Sequence, residues 1–146
     1  MSYARQMLDS YPCTVIVDAS VLSAAIDAIS DCAQACTADT DADLGEQNLA
    51  EMVTCIRLSR DCTGICTATG GVISRLAEYH PSATRPLLEA CVASARTAAM
   101  SANGMRTTST AGSASGPARR PGRLTCGIHD CSPAPAVRAT IPCWRL

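Results

Sequence analysis

Two long stretches of the chain repeat inward-type residues at helical spacing. In the first, Ala25, Ile29, Cys32, Cys36, Asp39 and Asp43 recur at gaps of 4, 3, 4, 3 and 4. That heptad-like rhythm keeps one face of a helix turned towards a partner, and it predicts a helix over about 18–43. Asp18 or Ser20 would cap its start and Gly45 would end it. In the second, Met52, Cys55, Ser59, Cys62, Cys66, Thr69 and Ile73 predict a helix over 47–76, with Gly70 and Gly71 weakening its last turns. The short break between the two makes them antiparallel neighbours whose seams face each other. A turn at His80-Pro81 leads to a third helix over 82–104, with Ser82 or Thr84 as cap and Leu87, Leu88 and Cys91 on its inner face. Residues 1–15 read as a short helical or irregular lead-in ended by Pro12. Beyond about residue 105 the amphipathic rhythm stops, and 106–146 is expected to be an irregular or disordered tail. The organisation is an all-α domain over 16–105 between a lead-in and a tail.

The inward stripes contain thiols where a core would ordinarily carry large apolar groups. The chain has ten Cys, no Phe and one Trp. Three of the thiols, Cys55, Cys62 and Cys66, lie two turns and then about one turn apart on one helix face. Free Cys is among the most buried residue types and one or two could be plain core. Six on facing seams, with few other large apolar residues beside them, call for a chemical reason. Cys13 stands alone and reads as an incidental thiol; Cys126, Cys131 and Cys143 fall in the tail.

Charge narrows the function. A net charge of −1 argues against nucleic acid as a partner. No uncharged stretch of 18 residues offers a membrane span. The opening MSYARQMLDSYP lacks the charged and then apolar run of a secretory signal, so a cytoplasmic setting is expected, where thiols stay reduced and clustered cysteines lean towards metal or redox use. The charge is also uneven, −7 over residues 1–90 and +6 over 91–146.

The segments DCAQAC at 31–36, CIRLSRDCTGICTATGGVISR at 55–75 and LLEAC at 87–91 resemble the cysteine-rich four-helix-bundle copper-storage family. The resemblance spans about residues 5–94. It implies an antiparallel four-helix bundle, here with three recognisable helices, whose interior is lined by thiolates holding many Cu(I) ions. The implied ligands are Cys32, Cys36, Cys55, Cys62, Cys66 and Cys91. The chain departs from the family at Ile29, Asp39, Asp43 and Ser59, which stand where further thiols would fit. The family pattern also stops after Cys91. Read one base earlier, the Ala codons at 95, 98 and 102 can encode Cys, and Asn103-Gly104-Met105-Arg106 allows Glu, Arg, His, Ala, the run the family often shows. Ala111, Ala114 and Ala118 would supply the fourth helix in the same way. We hypothesise a frameshift near residues 92–95, which also accounts for the reversal of charge. A stop codon in the earlier frame ahead of position 118 would exclude it.

Such a seam suits Cu(I), a soft ion satisfied by two or three thiolates. Residues i and i+4 on a helix have Cβ atoms about 5–6 Å apart, so Cys32 with Cys36, or Cys62 with Cys66, can pinch one ion. Zinc prefers a tetrahedron of Cys and His; a Cys/Asp mix with Asp39 keeps it as a second metal. Ferredoxin-type loop spacings are absent. Asp39, Asp41 and Asp43 gather at a helix end, where a solvated charged face that frays the helix is the ordinary expectation. His80, at a helix junction, reads as a surface or capping residue. The two His are far apart, and no nucleophile triad, phosphate loop or hydrolase motif suggests an enzyme. A rival reading takes Cys32-x3-Cys36 and Cys62-x3-Cys66 as twin pairs stapling a hairpin by disulfides, as in small import chaperones that bind proteins and no metal. Without a full fourth helix a strip of core is left open, and either the tail covers it or chains associate through it into a homo-oligomer.

Overall fold

The computed structural model describes residues 2–13, 15, 17–75 and 80–110, with side chains to residue 104. It comprises helices α1 (Tyr3–Asp9), α2 (Ala19–Leu44), α3 (Leu49–Ile73) and α4 (Pro81–Thr110). No strand occurs among the described residues, and none of their helices is long and apolar enough to cross a membrane.

The helix ends follow from local chemistry. Asp18 caps α2 as its spacing predicts, Oδ1 accepting from the amides of Ser20 at 2.8 Å and Val21 at 3.1 Å. These two bonds satisfy amides that have no partner inside the helix. The Asp18 carboxyl is held below its ordinary range, first by a hydrogen bond from the Ser20 side chain and then by these amides. Gly45 closes α2, its N–H on the Ala42 carbonyl at 3.1 Å. The lead-in contains a capped helix: Ser2 Oγ accepts from Arg5 N at 3.2 Å, and Arg5 pairs with Asp9 at 2.9 Å.

Three boundaries differ from the sequence reading. Helix α3 spans 49–73 rather than 47–76, closing just past the Gly70-Gly71 pair through Ser74 N on Gly70 O at 3.1 Å. Helix α4 begins at Pro81 instead of being capped by Ser82 or Thr84. Proline at the first helical position is preset for it and lacks the amide that would go unpaired there. The His80 carbonyl takes the amides of Ala83 and Thr84 at 3.1 and 3.0 Å, and Thr84 is buried inside the helix. Finally, α4 continues to Thr110, so residues 106–110, read as tail, are helical. The expected tail beyond 110 lies outside the described residues.

Helix α3 packs antiparallel between α2 and α4, and α1 lies against α2. Because α2 and α4 run one way and α3 the other, equivalent heights on the three helices form layers. The lowest is apolar, with Leu22, Ile26, Ile73 and Leu88 packed under Ala4 and Leu8 of α1. Above it Cys32, Cys36, Cys62, Cys66 and Cys91 form a second core with Ala95 and Ala98. Ile29 touches both cores and marks the boundary. The top layer is polar, made of Asp39, Asp43, Cys55 and Ser59, all buried.

Candidate metal centre

The helical spacing of α3 presents Cys62 and Cys66 one turn apart on its inward face, and the seams of α2 and α4 meet them from either side. Cys32 Sγ lies 3.7 Å from Cys62 Sγ, Cys62 Sγ 3.8 Å from Cys66 Sγ, and Cys66 Sγ 3.5 Å from Cys91 Sγ. Cys36 completes a triad with Cys32 and Cys62 in which the three sulfurs lie within 4.8 Å of one another. Five thiols from three helices thus form one continuous chain of sulfur, each buried. All are free thiols, as is the exposed Cys13, and the hairpin staple of the rival reading is not formed.

The arrangement is close to what a thiolate-bound metal needs. Metal–sulfur bonds of about 2.3 Å separate two ligand sulfurs by about 4 Å in a trigonal site and about 4.6 Å in a linear one. The observed contacts need to open by about 0.2–0.5 Å for a trigonal site and about 0.8–1.1 Å for a linear one. The sulfurs also polarise one another. Hydrogen bonding from Cys32, then from Cys36 and Cys66, pulls the Cys62 thiol down. The same network pushes Cys66 up, through Cys32, Cys62 and Cys91, and the bond from Cys66 lowers Cys91. The network thus favours thiolate at Cys62, at the centre of the cluster, and at Cys91, and disfavours it at Cys66. A thiolate is the form that ligates.

Cys55, grouped with the other five from sequence, stands apart. It lies two turns from Cys62 on α3, among carboxylates: its Sγ is 3.8 Å from Asp39 Oδ2, and Asp39, Asp43 and Cys55 place ligand atoms within 4.8 Å of one another. Ser59 Oγ donates to Asp39 Oδ2 at 3.1 Å. Burial, then its hydrogen bond with Asp43, then the charges of Asp43 and Asp39 push the Cys55 thiol up to about 12. The sequence reading of a solvated acidic face holds for exposed Asp41 but not for Asp39 or for Asp43, which is 1% exposed. Both continue the α2 seam about three and four turns past the boundary at Ile29, and that periodicity was the signal of their burial. The helix does not fray there. His80 is exposed at the start of α4, away from both clusters.

Residues 18–115 match the family model for copper storage protein. The chain belongs to the copper storage protein family. No curated protein sequence shows significant similarity to it. Among solved structures, this family member is similar to the copper storage protein Ccsp of Streptomyces lividans loaded with 10 copper equivalents, at 29% identity and a TM-score of 0.71, over 89% of this chain and 90% of that one. A histidine-to-alanine variant of Ccsp matches at 30% identity and 0.62, over 79% and 88%. A doubly substituted variant matches at 30% identity and 0.63, over 80% and 88%. The four-helix architecture of this copper storage protein is thus that of Ccsp.

Proposed function

We propose that the chain stores copper as Cu(I), in the cytoplasm, on the thiolate layer made by Cys32, Cys36, Cys62, Cys66 and Cys91. The observation that carries this reading is the unbroken run of sulfur contacts from α2 across α3 to α4, with no apolar side chain between them. A soft monovalent ion taking two or three thiolates can be held at either end of that run, and clusters can grow where ions share sulfurs. Cys62 and Cys91 are suited to ligation, because their neighbours already favour their thiolates. Each further ion displaces protons from the remaining thiols, so uptake rises with pH. Burial keeps the bound ions from water and from oxidants, which suits a store. The domain that does this runs from about residue 16 through the described part of α4.

The test is a Cu(I) titration of the reduced full-length chain against a chromophoric chelator. Two or more ions held per chain, lost in large part in a Cys62→Ser, Cys66→Ser variant, is the expected result. A chain that cannot take copper from the chelator refutes storage. A disulfide count of two in the unreduced protein would then favour the stapled hairpin.

A further inference from the structure

The top layer of the bundle is chemically unlike the layer beneath it. Asp39 and Asp43 enter from α2 and Cys55 from α3, each with a ligand atom within 4.8 Å of the other two. Asp43 and Cys55 are each 1% exposed. We propose that Asp39, Asp43 and Cys55 form a second metal site, for a borderline divalent cation of the zinc class, distinct from the thiolate layer.

Three features argue for that class of ion. Carboxylate oxygen is a hard ligand that holds Cu(I) poorly, whereas zinc accepts oxygen and sulfur together. Two carboxylates and a thiolate gathered in a buried pocket favour a double positive charge over a single one. The geometry is also within reach: tetrahedral zinc, with bonds of about 2.0 Å to oxygen and 2.3 Å to sulfur, spaces its ligands about 3.3–3.6 Å apart. Cys55 Sγ and Asp39 Oδ2 already lie 3.8 Å apart. Ser59 donates to Asp39 Oδ2, so the hydroxyl found where a thiol would fit holds a carboxylate in place, as groups behind metal ligands commonly do. Three protein ligands leave a fourth position for water.

The inference is independent of copper storage and its test separates the two. Co(II) serves as the probe for a zinc-type site. It is titrated into the reduced full-length chain before and after loading with Cu(I). One Co(II) per chain is expected in both states, with tetrahedral visible bands, the sulfur charge-transfer intensity of a single thiolate, and displacement by Zn(II). Asp39→Asn and Asp43→Asn keep the side-chain shape and should each weaken Co(II) by at least about tenfold. Cys55→Ser should remove the charge-transfer band, and Cys62→Ser should leave it. Circular dichroism verifies that each variant is helical. No Co(II) band at millimolar metal, a signal abolished by Cys62→Ser and kept in Asp43→Asn, or a site lost on Cu(I) loading would each overturn the proposal. A chain that binds Co(II) here but takes no Cu(I) would refute storage and leave this site standing.

Discussion

Cys66 Sγ lies 3.5 Å from Cys91 Sγ, and through this contact α4 joins a thiol layer otherwise built by α2 and α3. On the far side of Cys62 the triad with Cys32 and Cys36 is complete without α4. Cys91→Ser should therefore lower copper capacity by at least one ion per chain and leave binding by the triad in place. Native mass spectrometry of the copper-loaded variant reads this directly. An unchanged ion count would mean that α4 contributes no ligand.

The apolar layer and the thiol layer should separate on mutation. Leu88 packs with Leu22, Ile26 and Ile73 below the boundary at Ile29. Leu88→Ala leaves a cavity there and should destabilise the metal-free chain by about 2–4 kcal/mol. Its copper stoichiometry, measured at a temperature where the variant is folded, should equal that of the parent. A variant that keeps its stability would show that this layer does not hold the bundle together.

How much of this could be read beforehand depends on which residues carry the signal. The seams of α2 and α3 were legible because a 4–3 spacing survives substitution: Ser59, Asp39 and Asp43 keep the period though they break the cysteine pattern. What periodicity could not tell is which inward residues share a layer. Cys55 and Cys62 are equivalent on a helical wheel and differ only in what α2 presents opposite them, thiols in one case and carboxylates in the other. Asp39 and Asp43 drew two conflicting expectations, a place on the inward stripe and a solvated helix end, and position on the stripe prevailed. The lead-in was legible only as a short helical or irregular segment, and its packing against Leu22 and Ile26 was not legible, since Ala4 and Leu8 are too few to show a period. The end of α4 was misplaced because Thr, Ser and Gly have low helix propensity, yet α4 runs on to Thr110.

The raised thiol at Cys55 gives the metal-free chain a defined alkaline response. Its folded value of about 12 lies above the ordinary 9.0 that it regains on unfolding. The folded state thus holds this proton more tightly, and the contribution is fully present below pH 9. Between about pH 9 and 12 it is lost as pH rises, with a limiting slope of about 1.4 kcal/mol per pH unit for one group. Urea unfolding midpoints of the metal-free chain should fall across this window, and those of Cys55→Ser should fall less. Equal slopes for the two would place the alkaline sensitivity in the other thiols.

Ala95 and Ala98 are the positions where function can be gained. They lie at 3% and 1% exposure in the same core as the five thiols, spaced from Cys91 by four and then three residues, which continues its face of α4. They are also positions that a frame one base earlier allows to be Cys. Ala95→Cys with Ala98→Cys adds two sulfurs to the layer, and each added atom strains a packed core by about 1 kcal/mol or more. Copper capacity should rise by one or two ions per chain, and bound copper should stabilise the variant more than it stabilises the parent, because ligand that binds only the folded state adds to its stability. The measurements are the Cu(I) titration and thermal melts with and without copper. If capacity stays at the parent value while the variant folds, the α4 face does not line the store, and the alanines there are plain helix packing rather than the remains of a thiol seam.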